Sequence, residues 1–159
     1  MPRYNPDLTR VQAGIPLLPK GDFEFSVNEG KTFSRQSTDP ATQETKDVYG
    51  IQYNLQVMSG SDDSFIGKII PLQIYAHAGD AALSIGKRFV MAALGFALND
   101  EANFNEKYAD GDWNFDTEDQ ILGDMWSSVI GTRVAASTDQ KVDKRDHTRM
   151  NQVFNWRPI

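Results

Sequence analysis

Cysteine is the residue that this sequence lacks altogether, and its absence excludes several classes of site. Without thiols, the 159-residue chain can form no disulfide, iron–sulfur cluster, cysteine zinc site or thiolate nucleophile. Histidine is scarce as well. His77 and His147 have no neighbouring ligand spacing, and we expect both to be surface or turn residues. We therefore expect a reducing compartment and a domain that uses no cofactor and no metal.

Long apolar segments are missing too. The longest apolar run, Phe89 to Leu98, is about half of what a bilayer span requires, and the N-terminus has no apolar stretch of the signal-peptide type. The length suits one domain with a single core. We predict a soluble, unexported protein with no membrane partner.

Complete catalytic motifs are also absent. Asp110 and Asp112 imitate the first ligands of a calcium-binding loop, but Phe115 stands where the loop needs glycine, and Ile121 where it needs the closing glutamate. No nucleophile elbow is present. We predict that the protein is not an enzyme. The best enzymatic alternative is a magnesium-dependent nuclease that would use acids such as Asp110, Asp112 and Glu118.

Charge is unevenly distributed along the chain. The net charge of −6 argues at first against a nucleic-acid partner. Residues 100–124, however, contain nine acidic residues and one basic residue, while the remainder has 13 acidic and 15 basic residues. The rest of the chain could therefore present a basic groove. The acidic segment itself is open to two main interpretations, a solvated loop or an element that binds a partner or mimics DNA.

Hydrophobic alternation predicts the first two strands. Residues 1–20 contain four prolines and suit an extended N-terminal arm. The period of two in 23–27 predicts strand one, and the polar stretch 28–47 predicts a long loop. Residues 49–57 alternate again, which predicts strand two with one apolar face and one amide-lined face.

The remaining elements complete a five-stranded pattern. Residues 65–76 predict strand three, an edge strand because Pro71 cannot donate to a ladder. Asp80 can cap a helix over 81–98. Two further strands are predicted within 131–137 and 149–156, joined by a charged loop. The order predicts a mainly β fold: a five-stranded OB-fold-like Greek-key barrel over 21–159, with one helix between strands three and four and an acidic insertion at about 100–124.

This layout resembles a family of bacteriophage early-region proteins that are often encoded near recombination and replication genes. The shared positions are 15–16 (IP), 21–25 (GDFEF), 65–68 (FIGK), 89–95 (FVMAALG), 130–136 (IGTRVAA), 151–154 (NQVF) and Pro158. The resemblance implies an OB-like single-stranded-DNA-binding protein of viral replication or recombination, working in the host cytoplasm. Replicative proteins of this type usually end in an acidic tail, whereas this chain ends in NWRPI.

OB barrels bind oligonucleotides across strands two and three and between the loops that join strands one–two and four–five. The predicted phosphate partners are Lys31, Arg35, Lys68, Arg133, Lys141, Lys144, Arg145 and Arg149. The predicted stacking aromatics are Phe33, Tyr75 and Trp156, and the predicted base-edge partners are Gln52, Asn54 and Gln73. By their phase, Phe23, Phe25, Tyr53 and Phe154 are predicted to lie in the core.

The leading hypothesis is sequence-independent binding of single-stranded DNA, with replication or recombination proteins as further partners through the acidic segment. The alternative is a protein-interaction or structural module of a phage, in which the acidic segment and the proline-rich arm contact protein. Whether the chain forms a homodimer stays open.

Overall fold

The computed structural model describes residues 14–142 and 147–159, of which 44% lie in strands and 24% in helices. The chain is therefore mainly β, as predicted. Its elements are β1 (Gly21–Thr38), β2 (Thr45–Gly60), β3 (Ile69–Ile74), α1 (Asp80–Ala93), α2 (Glu101–Lys107), β4 (Phe115–Asp116), β5 (Ile121–Leu122), α3 (Asp124–Ser127), β6 (Arg133–Val142) and β7 (Arg149–Arg157), with short 3₁₀ turns at Asp63–Phe65, Ala76–Ala78 and Leu98–Asp100.

Five antiparallel strands form the main sheet in the order β3-β2-β1-β6-β7, and β4 with β5 forms a separate small hairpin. The edge position predicted for the third strand from Pro71 is confirmed. The other edge is β7, and within the described part of the chain β3 and β7 do not pair. The prediction of five strands is thus confirmed, whereas the sheet is not closed into the expected barrel.

The loop predicted over residues 28–47 is wrong, because β1 continues to Thr38 and pairs with β2 almost to the turn. A β-bulge at Asn28 shifts the register of β1 after Val27. Beyond Phe33 most side chains of this two-stranded ribbon are exposed on both faces. The ribbon therefore has no apolar alternation, which is why the sequence resembled a loop.

The core lies between the inner face of the sheet and α1. Phe23, Phe25 and Tyr53 are fully buried there, as predicted. The ring of Phe89, on α1, lies 5.0 Å from that of Tyr53, measured between centroids. Burial of such aromatic rings stabilises the sheet–helix layer.

Helix α1 differs from its prediction at both ends. Asp80 is its first residue and makes no capping hydrogen bond, and the helix ends at Ala93 rather than Leu98. Gly95 takes a left-handed conformation, with φ of +92°, which stops the helix. No single helix within 14–142 and 147–159 is long and apolar enough to cross a membrane. Only as a pair, bent by 94°, would α1 and Leu98–Lys107 meet those criteria.

The acidic segment is folded and is not a solvated loop. It contributes α2, the β4–β5 hairpin and α3, so the prediction of a single helix is also wrong. We call residues 96–129 the acidic module. Its interior is a cluster of rings with centroids 5.0 to 6.2 Å apart, formed by Phe96, Phe104, Tyr108, Trp113 and Trp126. Two of its acids shape turns, since Asp112 accepts from the backbone N–H of Asn114 and Asp116 from that of Glu118.

The described end of the N-terminal arm, residues 14–20, packs on β6 and β7. Leu18 is fully buried, its backbone N–H donates to the Asn151 side chain, and its carbonyl accepts from Gln140. The rest of the predicted arm, 1–13, lies outside the described residues.

Candidate nucleic-acid interface

Aromatic and cationic side chains meet at the junction of β1, β2 and the end of β3. The ring centroids of Phe33 and Tyr75 lie 5.8 Å apart, and the guanidinium carbon of Arg35 lies 5.3 Å from the first and 6.0 Å from the second. His77 lies 5.8 Å from both Tyr75 and Tyr49. We call these five side chains the aromatic platform. Tyr49 and Tyr75 are each 38% exposed, so ring surface is open to a ligand.

A glycine brings the two halves of the platform together. Gly50 is the cross-strand partner of Phe33. A Cβ at this position would lie 1.8 Å from the carbonyl oxygen of Ile74 and 2.9 Å from the backbone nitrogen of Ala76. Only a residue without a side chain lets the backbone at the end of β3 pass so close to β2. This close approach places Tyr75 beside Phe33.

A row of amides continues the platform along the outer face of the sheet. The hydroxyl of Tyr75 donates to Gln73 at 2.6 Å, and the Gln73 amide donates to Gln52 at 2.8 Å. Gln52 pairs in register with Lys31 on β1. Four of the predicted binding residues thus lie in one continuous strip. The next amide, Asn54, donates to the Glu29 carboxylate at 3.2 Å and is less available to a ligand.

The cations of this surface differ in how they are neutralised. Lys31 and Arg35 are exposed and have no carboxylate partner within the described ranges. Arg133 lies 3.5 Å from Glu24, which offsets its charge. Local positive charge therefore concentrates at the strand β1 side of the platform, where a phosphate would gain most.

Other predicted cations lie away from the platform. Lys68 precedes β3, at the opposite end of that strand from Tyr75, which is about 20 Å for a strand of this length. Lys141 ends the described part of β6, and Arg149 begins β7. Lys144 and Arg145 lie outside the described residues. The residues expected to form a single surface are therefore divided among separate parts of the sheet.

Trp156 and Phe154 exchange the roles predicted for them. Trp156 is only 8% exposed and packs on Phe89 with centroids 4.9 Å apart, whereas Phe154 is 43% exposed. The cause is a β-bulge, since Asn155 and Trp156 both lie opposite Ala136, and Asn155 has a φ of +56°. The extra residue reverses the alternation of β7. Trp156 is thus a core residue and not a stacking surface.

Sequence reasoning missed Tyr49 and His77 as members of the platform. Tyr49 shares its phase with the apolar residues of β2 and was expected to be inward, and His77 was expected to be an isolated turn residue. The Nδ1 atom of His77 lies 3.3 Å from both the backbone nitrogen and the carbonyl oxygen of Tyr49. Spacing of two between Tyr75 and His77 is the one signal that could have suggested their contact.

No group of three or more acidic or histidine side chains is arranged to hold a metal ion in the part of the chain that the structure describes. The acids proposed for a nuclease, Asp110, Asp112 and Glu118, are exposed and form no such group. Comparison with known proteins adds no assignment. No family model matches the chain, and no curated protein is significantly similar to it.

Proposed function

We propose that this protein binds single-stranded DNA without sequence preference, in phage DNA replication or recombination. One observation carries the proposal. Phe33, Arg35 and Tyr75 contact one another on the outer face of the sheet, where Phe33 is half-buried and the other two are exposed. Stacking of a base on an exposed ring contributes about 1–3 kcal/mol, and every base offers a flat face to such a ring.

The amides and cations beside the rings fit the same ligand. Gln73 and Gln52 can hydrogen-bond base edges, and the exposed Lys31 and Arg35 can contact phosphates. In a duplex the base faces are covered by neighbouring base pairs, so flat protein rings reach them only in a single strand. We therefore expect preference for single-stranded over double-stranded DNA.

We also propose that the fold is an OB-like barrel that is partly open. The OB architecture is a five-stranded Greek-key barrel, partly open, that binds oligonucleotides on strands two and three. Here the platform and its amides lie mainly on β1, β2 and β3 of a five-stranded sheet, which supports the proposal. The resemblance to phage early-region proteins points to the same function, and we propose no catalytic activity.

The test is fluorescence anisotropy with a labelled single-stranded oligonucleotide and the matched duplex, at low and high salt and without divalent metal. We expect tighter binding of the single strand, weakened by salt. Arg35→Ala and Tyr75→Ala should each reduce affinity, the latter by about 5- to 150-fold, which corresponds to one stacking contact.

Lys107→Ala is the matched control. Lys107 lies 5.5 Å from the ring of Tyr108 and 5.7 Å from that of Phe96, so it makes the same cation–ring contact as Arg35, but in the acidic module. It should leave affinity unchanged. Absence of binding at low salt, or equal losses in Arg35→Ala and Lys107→Ala, would contradict the proposal.

A second candidate function is protein interaction through the acidic module. The observation that favours it is that the module is folded and displays its acids, with Glu106, Asp110, Glu118 and Asp119 all exposed. A folded acidic surface fits a basic protein partner. If oligonucleotide binding fails, analytical ultracentrifugation with candidate basic replication proteins from the same phage tests this function.

A further inference from the structure

A second open surface lies where the sheet is not closed. Between the edge strands β3 and β7 runs a groove of about 930 Å³, and residues of α1 also line it. Its walls include Gln73 on β3, Phe154 and Trp156 on β7 and Arg88 on α1. In a closed barrel this space would be removed by pairing of the two strands, so the open sheet creates the groove.

The charge of this groove is opposite to that of the chain. Over the part of the chain that the structure describes, its lining includes four basic residues and no acidic residue, although the protein as a whole carries −6. Two of the four already have partners, because Arg157 pairs with Asp22 at 3.0 Å and Arg149 donates to Gln140. Arg88 and Lys141 have no carboxylate within ion-pair distance among the residues that the structure describes. A ligand with phosphates would find complementary charge here.

The groove also offers chemistry for bases. Phe154 is 43% exposed and Tyr75 is 38% exposed, so both present ring surface to it. The indole Nε1 of Trp156 is buried without an acceptor in the described ranges, and an acceptor entering beside it would satisfy this donor. Asn155 and Gln152 add exposed amides. Aromatic rings together with cations form the combination used by single-strand-binding grooves.

The groove is continuous with the aromatic platform. Gln73 and Tyr75 line the groove and belong to the platform or its amide row at the same time. A strand bound on the platform can therefore pass over Tyr75 into the groove without leaving the protein surface.

We infer that the open edge between β3 and β7 is the second half of a single-strand path, in which a base stacks on Phe154 and phosphates approach Arg88 and Lys141. This inference rests on the proposed function and extends it, since it assigns nucleic-acid contacts to Phe154 on β7 and Arg88 on α1, neither of which the sequence analysis predicted to bind. The competing occupant is a peptide that adds a strand to the free edge of β3 or β7.

Photocrosslinking separates this inference from the proposed function. An oligothymidylate of about 12 nucleotides, within the usual site size of such domains, carries 5-iododeoxyuridine at single positions, and adducts are mapped by mass spectrometry. We expect adducts on Phe154 as well as on Tyr75 or Phe33. Adducts on the platform alone would overturn the groove inference and leave the proposed function standing. Absence of any adduct, together with absence of binding, would overturn both.

Variants supply the second readout. Phe154→Ala should weaken binding of the long oligonucleotide by about 5- to 150-fold, the loss of one stack, and leave an oligonucleotide of about 4 nucleotides bound as before on the platform. Arg88→Ala should weaken only the long one and reduce the salt dependence. Lys87→Ala, the neighbouring cation paired with Glu101, and Ile66→Ala, an exposed apolar residue of a distant turn, are the matched controls. Equal affinity of Phe154→Ala and the parent protein for both lengths would show that a peptide or no ligand uses the groove, and would overturn the inference.

Discussion

Two clusters of aromatic residues in this protein have nearly the same chemistry and opposite surroundings. The platform and the acidic module each contain several rings in edge or tilted contact, with a cation lying over them. In the module, Phe104 is 1% exposed and Trp126 is 2% exposed, whereas Tyr49 and Tyr75 of the platform are each 38% exposed. Aromatic content alone would not have distinguished them.

The two clusters differ in where the hydrogen-bond partners of their aromatic residues lie. In the module, Trp126 donates to the backbone carbonyl of Trp113 at 2.6 Å, and the carbonyl of Trp126 accepts from the Tyr53 hydroxyl. In the platform, the Tyr75 hydroxyl bonds to an amide at the surface. Rings whose polar groups bond inward stabilise the fold, and rings whose polar groups remain at the surface are available to a ligand.

The largest effect that this comparison predicts concerns stability. Phe104→Ala should lower the free energy of unfolding by about 3–5 kcal/mol, because it leaves a cavity inside the ring cluster of the module. Urea denaturation measures it as a lower midpoint. The oligonucleotide affinity of the folded fraction should not change. A loss below about 1 kcal/mol would mean that the module does not contribute to the common core.

Substitution of Gly50, at the base of the platform, should lower both stability and single-strand affinity. Gly50→Ala forces the Ile74 carbonyl away from β2, which we expect to cost about 1–3 kcal/mol of stability, as overpacking does. Tyr75 should move from Phe33, so single-strand affinity should fall as well. Denaturation and anisotropy on the same preparation check this. If single-strand affinity falls no more than in another variant of equal stability, the geometry of the platform does not determine binding.

Tyr53 joins strand β2 to the acidic module through its hydroxyl, and loss of this hydroxyl should affect stability alone. Tyr53→Phe leaves the carbonyl of Trp126 without its donor, which we expect to cost about 1–3 kcal/mol. Burial raises the pKa of Tyr53. The neutral phenol is therefore favoured in the folded state, so stability should hold below about pH 10, the usual tyrosine pKa, and fall as the pH rises above it.

Alkaline denaturation of the parent protein and of Tyr53→Phe measures this. The loss of stability above about pH 10 should be shallower in the variant, since its buried ring has no proton to lose. Parallel curves for the two proteins would show that the pKa of Tyr53 is the same in the folded and the unfolded chain, and would contradict this prediction.

The smallest effect should come from the acids of the module. Glu118 and Asp119 are exposed, and the turn that contains them uses only their backbone N–H groups. Glu118→Gln combined with Asp119→Asn should therefore keep the fold and raise single-strand affinity by roughly twofold at low salt, with no change at high salt, where charges are screened. A loss of affinity would assign these acids a direct role in binding.

The sequence predicted most of the sheet because the inner residues of each strand alternate cleanly. Phe23, Phe25 and Tyr53 are buried as expected, and Pro71 marked the edge strand correctly. The ribbon at the β1–β2 turn was missed because it has no buried face. Helix α2 was missed because Phe104 is its single buried residue, so its sequence has no apolar periodicity.

The candidate site was predicted in part. Phe33, Arg35, Gln73 and Tyr75 were named from loop position and phase, and they do come together. Contact among them depends on the close approach over Gly50, which no local pattern reveals. Trp156 was misplaced because a one-residue bulge reverses all later phases, and the sequence has no distinct signal for it.

The bulge at Asn155 has a consequence for insertions and deletions. Because it adds one residue to β7 relative to β6, deletion of Asn155 would restore regular alternation of the strand. Trp156 would then lie directly opposite Ala136, which is buried, so its ring would stay beside Phe89. A homologue one residue shorter at this position would therefore keep both the pairing of β7 with β6 and its core aromatic.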